Sequence, residues 1–332
     1  MGFSGHPQPR AASRRAAATA AALLAAASLA AAAPTRAAVA ASDADTAGAT
    51  APAATTMAAN GSLSWATTVT GQRVAVRPTN YPTPIHPEPI THPLADYTGS
   101  TIRAHEPAAP AVADPLALSP AAVPQLPGID VSGYQGNVNW ASVAPNIDYV
   151  YIKATEGGYY TNPYFAQQYN GSYNVGMIRG AYHFAIPNGA SAATQADYFI
   201  AHGGGWSADG RTLPGALDIE YNPYGAECFG LSQSSMVAWI WNFVNEYASR
   251  EHAYPVLYST TDWWRTCTGN YSGFGAYDPL WIANYTASGG GTLPGGWGFY
   301  TFWQYASAGS QPGDQDVFNG AYSRLQALAV NG

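Results

Sequence analysis

The sequence predicts an α/β barrel over residues 128–332, with a final third that departs from regular alternation. Three observations lead there. Of the 43 aromatic residues, 39 fall in that stretch, whereas 16 of the 25 prolines precede it, so the apolar surface for a core is concentrated in the second part. Short β-rich runs there alternate with longer helical patterns, an order that implies parallel strands joined by right-handed crossovers. No glycine-rich phosphate loop follows any strand, which disfavours an open nucleotide-binding sheet.

Gly128–Ser132 reads as the first strand and Tyr149–Ala154, nearly continuous in apolar and aromatic side chains, as the second. Pro163–Tyr173 follows as a helix, with proline in the first turn, where a missing N–H leaves no bond unmade. Met177–Phe184 is a third strand, and Ser191–Ala201 a helix with Ser191 as its N-cap. Gly215–Glu220 is a fourth strand. In Leu231–Arg250, Val237, Ile240, Trp241, Val244 and Tyr247 recur at three- and four-residue spacing, the stripe of an amphipathic helix. Pro255–Ser259 is a fifth strand. Leu280–Tyr285, Tyr300–Tyr305 and Asp316–Phe318 supply three more. Between these last strands, Ser288–Gly291 and Gly295-Gly296 carry no helical pattern, so the alternation is expected to break down in the last third.

The segments before the barrel read differently. Residues 1–40 have the form of a secretory signal. Arg10, Arg14 and Arg15 precede an almost pure alanine run from Ala16 to Ala33, and a small-residue pattern ends at Ala40, with a second cleavage point near Ala33. No other apolar run is long enough to span a bilayer. The chain is therefore expected to be secreted, extracellular and free of membrane insertion once the signal is cut. Residues 41–127 read as a Pro/Ala/Thr-rich linker or propeptide-like arm. Pro82-Thr83-Pro84 and Pro87-Glu88-Pro89 favour extended chain, and Trp65–Val76 suits a hairpin turning at Thr70-Gly71. The two cysteines, Cys228 and Cys267, are expected to pair in an oxidising compartment. Their loop of about 40 residues would contribute roughly 4 kcal/mol in the chain-entropy account.

Charge narrows the functional classes. The chain has 13 Lys+Arg against 20 Asp+Glu, a net −7, and Lys153 is its single lysine. That balance excludes a general nucleic-acid binder, which needs a basic face. Neither CxxC nor a Cys/His cluster is present, so no zinc site is expected. No cofactor is expected, and the chain is taken as a monomer.

Functional residues of a parallel barrel sit at the C-terminal ends of the strands. Asp218 and Glu220 stand there on the fourth strand. The strand period of two puts both on one face, with Cα atoms roughly 6–7 Å apart. Like charges so close raise at least one pKa, and a carboxyl that keeps its proton near neutrality can act as a general acid. Paired carboxylates with offset pKa values are the arrangement of glycoside hydrolysis, although a D-x-E spacing also suits two solvated carboxylates at a strand end. Asp130 ends the first strand, and Asp316 lies near the chain end, with Asp314 competing for that place. Four acids at one mouth are tolerable if they share protons, hold a metal or stabilise a developing cation. Tyr134, Tyr182, Tyr258, Trp281, Tyr285, Trp303 and Tyr305 lie at or near strand ends, where aromatic faces either stack on sugar rings or simply fill the barrel. Asn284 and Gln304 can serve sugar hydroxyls. His183 reads as a hydrogen-bonded barrel residue. The nucleophile elbow of a serine hydrolase is missing.

Taken in order, Gly128-Ile129-Asp130-Val131-Ser132 with Tyr134-Gln135-Gly136 and Trp140, Lys153-Ala154-Thr155-Glu156-Gly157, Gly180-Ala181-Tyr182-His183-Phe184, Asp218-Ile219-Glu220, Trp281-Ile282-Ala283-Asn284-Tyr285, Trp303-Gln304-Tyr305 and Asp316 resemble family 25 of the glycoside hydrolases, the Chalaropsis-type muramidases. The resemblance spans essentially all of 128–332. It implies a modified TIM-like (β/α)5(β)3 barrel. It also implies hydrolysis of the β-1,4 bond from N-acetylmuramic acid to N-acetylglucosamine in peptidoglycan glycan strands, with net retention. By motif, Glu220 resembles the general acid/base. Asp218 resembles the partner that attacks the anomeric carbon or orients the substrate's 2-acetamido group. Asp130 and Asp316 match two further site acids, while Tyr182 and Trp281 match aromatics lining the groove, with Tyr285 and Gln304 beside them. Residues 1–127 have no counterpart in the resemblance.

Overall fold

The computed structural model describes residues 64–67, 73–76, 97–106, 124–285 and 289–332. The signal at 1–40 and the Thr70-Gly71 turn lie outside them. The hairpin is present as paired strands, Ser64–Thr67 against Arg73–Val76, antiparallel with Ser64 opposite Val76.

Eight strands close a barrel. They are β1 (Leu126–Val131), β2 (Tyr149–Glu156), β3 (Ile178–Phe184), β4 (Ala216–Asp218), β5 (Val256–Thr260), β6 (Leu280–Ala283), β7 (Phe302–Ala306) and β8 (Asp314–Phe318). β1 through β7 run parallel. β8 is antiparallel to both β7 and β1 and closes the ring. A two-residue strand, Tyr160–Thr161, adds an edge to β2.

Helical segments follow the first five strands. A single turn at Trp140–Val143 comes after β1, α1 (Phe165–Asn174) after β2 and α2 (Ala192–Phe199) after β3. α3 (Gln233–Glu251) follows β4, and α4 (Thr261–Thr268) follows β5. β6, β7 and β8 follow without helices, and α5 (Tyr322–Asn331) ends the chain. This is the expected (β/α)5(β)3 order. Ser191 caps α2 by accepting the Thr194 N–H, as its position required. Two helices have no counterpart in the sequence reading. α4 starts directly from β5, because Thr260 is both the last strand residue and the N-cap that accepts the Trp263 N–H. No turn residues separate the two elements. α5 has a short apolar stripe around Leu325 and Ala329.

Alternation along the strands sorts the core into two layers. Outward-facing Ile129, Val131, Val150 and Ile152 pack with Val138, Trp140, Val143 and Met177. Inward-facing rings fill the barrel. Tyr151 stacks on Trp281 at 4.9 Å, Tyr149 meets Phe302 at 5.2 Å, and Phe302 meets Phe318 at 5.3 Å. Gly128 makes room for this, since a Cβ there would fall 2.1 Å from the Tyr149 ring. Full burial of each large side chain contributes about 1.5–3 kcal/mol. The expected disulfide joins Cys228, before α3, to Cys267 in α4, with Cα atoms 5.3 Å apart.

Residues 97–106, part of the arm by sequence, lie on the barrel. Tyr97–Ser100 forms a turn closed by the Ser100 N–H to the Tyr97 carbonyl at 2.8 Å, and Ile102–His105 adds one helical turn. Ile102 is buried in the main core.

Candidate active site

The C-terminal mouth gathers every acid singled out from sequence. Asp130 comes from β1, Asp218 is the last residue of β4, and Asp316 lies on β8. β4 ends at Asp218 rather than Glu220, but the Ile219 N–H still reaches the Tyr258 carbonyl at 3.0 Å, so the chain stays extended beside β5. All four acids are buried.

A fifth acid joins them. Asp314 stands two residues before Asp316 and directly opposite Asp130 across the β8–β1 pair. The strand period puts Asp314 and Asp316 on one face, so the two do not compete: both are in the site. Lys153 on β2, unlike Asp314, has no site role in the sequence reading. It is buried, bridges to Glu156 at 2.5 Å, and its charge opposes the upward shifts of Asp218 and Glu220. A lone lysine within the otherwise apolar run Tyr149–Ala154 is the available signal.

Gln304 organises the far wall. The Tyr258 and Tyr285 hydroxyls donate to its Oε1 at 2.7 and 2.6 Å. Two donors on the carbonyl fix the amide's orientation. Its Nε2 therefore donates to Asp130 Oδ2 at 2.7 Å. The Trp281 indole N–H donates to Asp316 Oδ1 at 2.9 Å. Trp281 and Tyr182 are fully buried and form the floor of the site.

Electrostatics follow from this burial. Desolvation is the largest cause at each of the five acids and raises all of them. Asp130 is pushed up to about 7 and Glu220 to about 8. Asp218, Asp314 and Asp316 are held well above the usual carboxylate range. The charge of Glu220 adds to the effect at Asp218. Both carboxyl oxygens of Asp218, and Oε2 of Glu220, are buried and lack a hydrogen-bond partner outside the Asp218–Glu220 pair itself. Buried polar atoms are normally paired, so these three oxygens mark a place where a ligand's polar groups belong. Chemically, the pair can keep a proton near neutrality and give it to a bound oxygen.

His183 lies elsewhere. Its Nδ1 pairs with Thr155 Oγ1 at 2.8 Å and its Nε2 with Gln195 Oε1 at 3.0 Å. Burial lowers its pKa to about 3, leaving a neutral ring between β3 and α2. Asn284 is apart from the acids and lines a neighbouring cavity of about 230 Å³ with Glu106, Thr261, Asp262 and Arg265. Tyr134 is exposed at the rim. Among the described residues, no group of three or more His, Cys, Asp and Glu is placed to hold a metal ion.

Residues 129–314 match the family described as Glycosyl hydrolases family 25. Lysozyme M1 of Streptomyces globisporus is 48% identical over 224 residues, covering 66% of this chain and 76% of that sequence. The N,O-diacetylmuramidase of Chalaropsis sp is 48% identical over 207 residues, 61% of this chain and 98% of that one. The solved muramidase from Acremonium alcalophilum superposes with a TM-score of 0.61 at 56% identity, covering 62% of this chain and all of that one.

Proposed function

Because the chain belongs to glycosyl hydrolase family 25 and is a lysozyme-type glycoside hydrolase, we propose that it works outside the cell, cutting the β-1,4 bond from N-acetylmuramic acid to N-acetylglucosamine in peptidoglycan with net retention. The observation that carries this reading is the Asp218/Glu220 pair, buried at the mouth with three carboxyl oxygens that have no partner outside the pair.

Glu220 is assigned the proton transfer. Its carboxyl is raised to about 8, so at neutral pH it holds a proton for the leaving oxygen and, once ionised, can accept one from water. Asp218 is assigned the far side of the sugar. There it attacks the anomeric carbon or orients the 2-acetamido group for attack. Asp130 and Asp316 are assigned to tune the pair and to oppose the positive charge of an oxocarbenium-like transition state. Tyr182, Trp281, Tyr285 and Gln304 are assigned to the sugar itself. Export rests on residues 1–40, and the protein is taken to act as a monomer. Among the described residues, no helix is long and apolar enough to cross a membrane.

The test is substrate choice. Purified bacterial wall should yield new reducing ends with time, while chitin, which lacks the muramic lactyl group, should yield few. Preferential turnover of chitin would move the enzyme to a different carbohydrate. Binding to wall without turnover by every form of the chain would reduce it to a glycan-binding module.

A further inference from the structure

The Thr98–Gly99 peptide group sits inside the mouth. The Gly99 N–H donates to Glu220 Oε1 at 2.6 Å. The Thr98 carbonyl accepts from Gln304 Nε2 at 3.3 Å, and the Thr98 N–H donates to the Tyr182 hydroxyl oxygen at 3.4 Å. Thr98 and Gly99 are both buried. We propose that residues 97–106 are a built-in inhibitor, whose Thr98–Gly99 amide stands in the catalytic pocket against Glu220, in space that a substrate sugar and its acetamido group would need, so that the intact chain is latent until this segment leaves. The proposal rests on the muramidase reading above.

Chemistry supports the mimicry. A peptide unit and an N-acetyl group are the same secondary amide, one N–H donor beside one carbonyl acceptor. The segment already engages two side chains that substrate needs, Glu220 through the Gly99 N–H and Gln304 through the Thr98 carbonyl. The Gly99 N–H favours the Glu220 anion but does not overcome burial, which keeps the carboxyl raised to about 8 with the segment in place.

The rest of the segment anchors this turn. Ile102 is buried against the core. The Arg103 Nε–H donates to Ser307 Oγ at 3.1 Å, and Arg103's charge offsets that of Asp314. His105 stacks on Tyr221 at 4.2 Å, and the Tyr221 hydroxyl donates to Glu106 Oε1 at 2.9 Å. Contacts therefore run from the β7–β8 side of the mouth to the loop after β4. The tether adds to them, because a covalently linked ligand faces its site at an effective concentration of about millimolar or more. Residues 107–125 join the segment to β1 and are rich in alanine and proline. Hydrolysis of one peptide bond there by a protease, with water as co-reactant, would end that advantage.

Gly99 makes the proposal testable in the full chain. Its φ is +82°, at the third position of the 97–100 turn, where a left-handed conformation favours glycine. A Cβ there would lie 2.2 Å from the Tyr285 hydroxyl and 2.7 Å from Gln304 Oε1. Gly99→Ala should therefore unseat the turn without touching any assigned catalytic residue. Ile102→Asp attacks the same segment from its apolar anchor. The readouts are reducing-end release from wall and amide hydrogen exchange at residues 98–102.

In the intact chain these amides should be protected and release slow. Each variant should expose them and raise release about tenfold or more, since apparent activity scales with the competent fraction. Equal release by wild type and both variants, or unprotected amides in the wild type, would overturn the inhibitor and leave the muramidase reading standing. Protected amides that either variant frees, with no release from any chain, would overturn the muramidase reading while showing the seat to be real.

Discussion

Glu220→Gln should lower reducing-end release from purified wall by about 10²–10⁴-fold, the range a positioned general acid–base supplies. The substitution keeps shape and leaves an amide oxygen that can still accept the Gly99 N–H. Its effect therefore isolates the proton. Removing a buried ionisable carboxyl should leave the thermal midpoint unchanged or raise it, so a loss of activity would not be a loss of fold. The pH profile adds a signature. Activity carried by the protonated acid should be present at neutral pH and fall as pH rises through about 8, because burial raises the Glu220 pKa to about that value. The glutamine variant should lack that alkaline limb. Activity near that of its parent would remove Glu220 from the chemistry.

Asp218→Asn should cost about 10²–10³-fold or more, the scale seen when a group that stabilises transition-state charge is lost. Neither carboxyl oxygen of Asp218 has a hydrogen-bond partner other than Glu220, although the residue is fully buried. A group so placed destabilises the fold, and retaining it is explained if a ligand or transition state meets those oxygens. Asparagine can neither attack an anomeric carbon nor carry charge beside an oxocarbenium-like centre. Steady-state kinetics should show the loss in kcat with little change in KM. A variant weakened in KM alone would make Asp218 a residue that only binds substrate. A glycosyl–enzyme ester trapped on Asp218 would select direct attack over assistance by the acetamido group.

Much of this arrangement was legible in the residues. The period of two placed Asp218 and Glu220 on one face, and the alternation of β-rich and helical runs placed that face at the mouth of a barrel. The same period, applied to Asp314 and Asp316, admits both, but a lone alternation near the chain end does not say which neighbour faces it. The register of β8 against β1, with Asp314 opposite Asp130, supplies that. The orientation of Gln304 depends on two phenols from different strands, a convergence that no local pattern encodes. α4 was hidden because Thr260 serves strand and cap at once. The inhibitory segment was least visible. Its seat is made largely by the backbone groups of Thr98 and Gly99, and its one apolar anchor, Ile102, stands alone in a proline-rich arm with no periodicity.

The central claim is that this site cuts peptidoglycan on the muramic side. The most direct measurement is mass spectrometry of wall fragments released by the full chain and by its Gly99→Ala variant, after borohydride reduction to mark new reducing ends. The account predicts reduced N-acetylmuramic acid at every new end, in greater yield from the variant. Reduced N-acetylglucosamine at those ends, or no new ends from either chain, would contradict it.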